Sequence, residues 1–98
     1  GMKIPNEVKV GGITYAVETV EFLRKGTDGF CAEIDYCDCK IRLTKSADAK
    51  MMRDFLHELV HALFDQCGYI NHDEEMIDRL AAALHGVIVD NPALFEEP

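Results

Sequence analysis

Residues 57–61 read His57-Glu58-Leu59-Val60-His61, the pattern H-E-x-x-H. On a helix, side chains four residues apart lie on one face, one above the other, so both imidazoles can reach a single ion. The glutamate between them can then take a proton from a water that the ion acidifies. This set performs metal-assisted hydrolysis, with His57 and His61 as ligands and Glu58 as general base. On an open, solvated helix face the same residues would do nothing of the kind, so their surroundings decide the matter.

Periodicity describes those surroundings. At 100° per residue, Met52, Phe55, Leu56, Leu59, Val60, Leu63 and Phe64 cover well over half of the circumference. Lys50, Asp54, His57, Glu58, His61 and Asp65 share the remaining stripe, with the histidines at its middle. A helix so apolar must be covered on most sides. Its polar stripe is then expected to line a cleft, with Zn2+ as the ion.

A hydrolytic zinc site needs a third protein ligand. The extended pattern H-E-x-x-H-x-x-G-x-x-H fails, because Phe64 stands at the glycine and Cys67 at the third histidine. The alternative is an acid from a following helix, where Asp73-Glu74-Glu75-Met76-Ile77-Asp78 offers several. The apolar face of that helix is Ile77, Leu80, Ala81, Leu84, Val87 and Ile88. Glu74 flanks this face and is the preferred third ligand, whereas Glu75 points nearly opposite. Glu75 and Asp78 remain alternatives, and Asp78 is also placed to hold a ligand histidine by its other ring nitrogen. His72 reads as a loop histidine and His85 as a structural one. Tyr69 is a candidate to stabilise a developing oxyanion.

The elements that must position these residues divide the chain in two. Glu7 to Val10 alternates polar and apolar residues, Gly11-Gly12 signals a two-residue hairpin, and Ile13 to Val20 resumes the alternation. Lys25 to Gly29 breaks the run. Phe30 to Tyr36 alternates again, and Cys37 to Cys39 forms a turn into Lys40-Ile41-Arg42-Leu43. After that the pattern is helical, with Ser46 as the expected cap and Gly68 as the stop. A second helix starts near His72 or Asp73 and runs to about Asp90, ended by Asn91-Pro92. The expected fold class is α+β: one domain over residues 1–98, a small, mostly antiparallel sheet packed against two C-terminal helices.

Composition narrows the function classes. Ten Lys and Arg against eighteen Asp and Glu give a net charge of −8, and such a surface repels phosphate backbones, so no nucleic-acid partner is expected. No apolar run approaches the ~20 residues that span a bilayer, so no membrane partner is expected. Cys31, Cys37, Cys39 and Cys67 do not have the spacing of a structural zinc site. The opening GMKIPNEVKV lacks an apolar signal-peptide region, so reduced thiols and a cytoplasmic location are expected.

His57-Glu58-Leu59-Val60-His61-Ala62-Leu63, followed by Glu74 to Leu84 ending in Leu80-Ala81-Ala82-Ala83-Leu84, resembles the ImmA/IrrE family of metallo-endopeptidases, above all its short stand-alone phage and prophage members. Val60 stands where glycine is usual in that family, and Asp78 where asparagine is common. The resemblance implies a zincin-like fold, zinc held by His57 and His61, and Glu58 as general base. It also implies a protein or peptide substrate, with a phage or prophage regulator as one candidate.

Three functions compete on the sequence. The first is a zinc-dependent endopeptidase with a glutamate third ligand. The second is a metal-binding interaction module without peptidase activity, favoured by the small size of the chain. The third is a structural zinc staple, against which Glu58 argues, since a closed site has no use for a base.

Overall fold

The computed structural model describes residues 3–23, 31–94 and 96. The break expected at Lys25 to Gly29, and Phe30 at the head of the third strand, lie outside them. Four strands, β1 (Glu7–Val10), β2 (Ile13–Val20), β3 (Ala32–Asp35) and β4 (Lys40–Thr44), precede two helices, α1 (Asp48–Gln66) and α2 (Glu74–Asp90).

Gly11 and Gly12 have φ of 58° and 88°, the double positive that a type I′ hairpin turn requires. They set β1 antiparallel to β2 with Val10 opposite Ile13. The second hairpin turns through Tyr36 to Cys39, with Cys39 at φ 54°, and pairs β3 antiparallel to β4. The two hairpins join through a parallel β2–β4 pair, giving the order β1-β2-β4-β3. Chain-order pairing would have put β3 beside β2. Instead β4 inserts between them, so the sheet is mixed and β3 becomes an edge. The central place of β4 goes with its burial: Ile41 and Leu43, its two apolar residues, are fully buried. On the same strand Arg42 bridges Glu18 of β2 and Glu33 of β3, which ties the three strands together on the polar face.

The helices do not both lie on the sheet. α1 packs on β3 and β4 and touches β1, whereas α2 packs on α1 alone. The architecture is therefore three layers: sheet, α1, α2. Being the outer layer, α2 needs only one covered side, so Ile77, Ala81 and Ile88 are buried while Leu80 and Val87, expected on the same face, are exposed. The middle layer, α1, contributes Met52, Phe55, Leu56, Val60 and Ala62 to the core.

Helix boundaries follow the expected signals with one exception. Ala47, not Ser46, is the α1 N-cap, and no side chain caps that helix. Ser46 lies one residue too early to reach the first-turn amides, and its hydroxyl is buried without a hydrogen-bond partner. At the other end Gly68 takes φ 90°, and Tyr69 N–H donates to the Phe64 carbonyl, which reverses the chain.

Candidate metal centre

The polar stripe of α1 faces a cleft, because the other sides of the helix are taken by the sheet and by α2. The cleft has a volume of about 650 Å³, in the range of ligand-binding clefts. Its wall opposite α1 is the edge strand β3 and the turn after it, from Ala32 to Cys37. Five carboxylates border it, from Glu33, Asp35, Glu58, Asp65 and Glu74, and no described lysine or arginine does.

His57, Glu58 and His61 each bring one donor atom to within 4.8 Å of the others. Glu58 is 6% exposed and His61 8%, so the middle of the stripe is dry. Burial, and then the charge of Glu74, pushes the Glu58 carboxyl up to about 8. Burial likewise lowers the pKa of His61, outweighing the opposite pull of Glu74, and so favours its neutral, metal-binding form.

The first residue of α2 completes the group. Asp73 caps that helix by accepting from the backbone N–H of Glu75 and of Met76. Glu74 is thereby set at the tip of the helix, with its side chain towards α1. Its Oε2 lies 3.2 Å from His57 Nε2 and its Oε1 3.0 Å from His61 Nε2. The other nitrogen of His57, Nδ1, lies 3.4 Å from Asp78 Oδ1. Glu75 reaches Arg79 in an exposed ion pair and takes no part. All three candidate acids are exposed, and they separate by contact: Glu74 against both histidines, Asp78 against His57 alone, and Glu75 against Arg79.

This donor set fits zinc. Donors at ~2.0–2.1 Å from a tetrahedral zinc lie ~3.3 Å from one another. Each histidine Nε2 is close to that distance from one of the two Glu74 oxygens, and two imidazoles with a carboxylate are a zinc donor set. His57, His61 and Glu74 would hold the ion, leaving Glu58 beside it as a base.

Tyr69 and His72 differ from the sequence reading, and Tyr36 is a cleft residue it did not single out. Tyr69 is exposed, its ring packs on Phe64, and it does not line the cleft. Tyr36 lines the cleft instead; burial, with the negative charges of Asp65 and Glu58 after it, pushes its phenol up to about 12. His72 is no bystander in its loop, since its Nδ1 lies 2.7 Å from Nδ1 of His61. Nothing in the local pattern around either residue marks it, because both reach the cleft through turns. His85 lines a separate groove beside Lys3 and Met51. The four cysteines form no disulfide. No described helix is long and apolar enough to cross a membrane.

Comparison with protein-family models, with curated proteins and with solved structures finds no match to this chain.

Proposed function

We propose that this protein is a minimal zincin-like metallo-endopeptidase, with zinc held by His57, His61 and Glu74. One observation carries the reading. Both oxygens of a single carboxylate, Glu74, meet the Nε2 atoms of two histidines on an H-E-x-x-H helix, beside a buried glutamate. The likeness of these residues to the ImmA/IrrE peptidases supports it. A structural staple would not need Glu58, whose burial costs stability and serves no bond among the three ligands.

Zinc, when bound, supplies Lewis acidity that polarises a carbonyl and makes water easier to deprotonate. Glu58 takes the proton from the attacking water and later returns it to the leaving amine. The Tyr36 hydroxyl, protonated at any working pH, donates to the oxygen on which charge develops. Asp78 steadies His57 from behind. The β3 strand is an edge of the sheet and a wall of the cleft, so an extended peptide adds to it through backbone hydrogen bonds.

The test is cleavage of an unstructured protein by the zinc-loaded chain, with Glu58→Gln alongside. Activity should be abolished by chelation, restored by zinc, and at least ~100-fold lower in Glu58→Gln at unchanged metal content. Equal rates in the two proteins would refute the peptidase mechanism.

A further inference from the structure

The loop between the helices contains a chain of hydrogen-bonding groups that leads from the protein backbone to a ligand histidine. His72 Nε2 lies 2.8 Å from the carbonyl oxygen of Tyr69, and a carbonyl only accepts. His72 Nε2 therefore carries the hydrogen. With that ring neutral, its Nδ1 is a bare acceptor. His61 Nδ1 lies 2.7 Å from it and must donate. A neutral His61 protonated on Nδ1 has its lone pair on Nε2, the atom that faces Glu74 at 3.0 Å. In that tautomer the His61 Nε2 lone pair and a Glu74 oxygen are both available as donors to one ion beside them.

Packing holds the chain in place. The His61 and His72 rings lie nearly parallel, 22° apart, with centroids at 5.0 Å, the edge-to-edge arrangement of two hydrogen-bonded imidazoles, and Phe64 meets His72 edge-on at 5.6 Å. The Gly68 turn and the Tyr69 N–H bond to Phe64 fix where the Tyr69 carbonyl sits relative to α1. Tyr69 thus contributes through its backbone, whatever its ring does.

We propose that His72 is a positioning residue that sets the metal-binding tautomer of His61. The proposal rests on the zinc reading above. A ligand histidine whose second nitrogen donates to a fixed acceptor is held in tautomer and in ring orientation, and losing such a partner typically costs ~10–100-fold in metal affinity. Histidine in the acceptor's place is distinctive, because its own tautomer is fixed in turn by a backbone carbonyl.

The experiment has two readouts, both on the full chain. Nitrogen-15 NMR of the zinc-loaded protein at pH 8 should show His72 protonated on Nε2 and bare on Nδ1. It should also show nitrogen–nitrogen coupling across the His61 Nδ1–H to His72 Nδ1 bond. Zinc competition titrations should give at least ~10-fold weaker binding for His72→Phe. His72→Asn, whose Oδ1 branches from Cγ as Nδ1 does in histidine, should stay within ~3-fold of the parent. Circular dichroism of the metal-free variants should match the parent and so separate positioning from folding. Parent-like zinc affinity in His72→Phe, or a His72 protonated on Nδ1 and bare on Nε2, overturns the proposal while leaving the zinc reading intact. A parent chain that takes up no zinc overturns both.

Discussion

His61 Nε2 and Glu74 Oε1 lie 3.0 Å apart, joining the inner stripe of α1 to the first residue of α2. The contact depends on where α2 begins, which the Asp73 cap decides. Glu74→Ala should lower zinc affinity at least ~10-fold, Asp78→Ala by less, and Glu75→Ala hardly at all. Competition against a chromophoric chelator measures all three. Weaker binding in Glu75→Ala than in Glu74→Ala would refute the assignment.

Metal should also stabilise the fold. With the proposed ligands on two helices, an ion bound only in the native state would clamp α2 to α1. Zinc at 100 times its Kd should add ~2.7 kcal/mol, read as a rise in Tm that a chelator reverses. Acidification should release the ion, because both imidazoles must be neutral to bind. A Tm indifferent to zinc and to chelator would count against the site.

Tyr36, and not Tyr69, lines the cleft, and two variants test the oxyanion role proposed for it. Tyr36→Phe should lower kcat ~100-fold with little change in zinc affinity, the usual effect of losing one oxyanion donor. Tyr69→Phe should leave kcat unchanged, since its hydroxyl lies off the cleft. The opposite pattern would restore Tyr69.

The buried Glu58 makes stability depend on pH in the metal-free protein. Its carboxyl is raised from 4.5 to about 8 in the native state. Between those values the native chain holds a proton that the unfolded chain has lost. The stabilising contribution is complete below about pH 4.5 and is lost as pH rises through about 8. Glu58→Gln stays neutral throughout, so its Tm advantage over the parent should grow across this window, reaching ~5 °C or more at pH 8.5. The lowered pKa of His61 works in the opposite direction but is common to both proteins. A Tm difference that does not change between pH 5 and pH 8.5 would contradict a raised Glu58.

Much of the spacing within the candidate site was legible in the chain because a helix imposes its own geometry. A rotation of 100° per residue puts His57 and His61 on one face whatever surrounds them, and it separates Glu74 from Glu75 by the same arithmetic. The Gly11-Gly12 turn, the Gly68 stop and the start of α2 at Asp73 are likewise local, set by backbone conformations and by caps within a few residues. The tertiary structure decided what those rules do not reach. Which strand sits beside β2 depends on where the burial of Ile41 and Leu43 is best satisfied, and that places β4 in the centre and β3 at the rim of the cleft. The stacking of α2 on α1 rather than on the sheet, the entry of Tyr36 into the cleft lining, and the contact of His72 with His61 arise from packing between different segments. Local periodicity carries no record of such contacts, since their free energy exists only once the layers have come together.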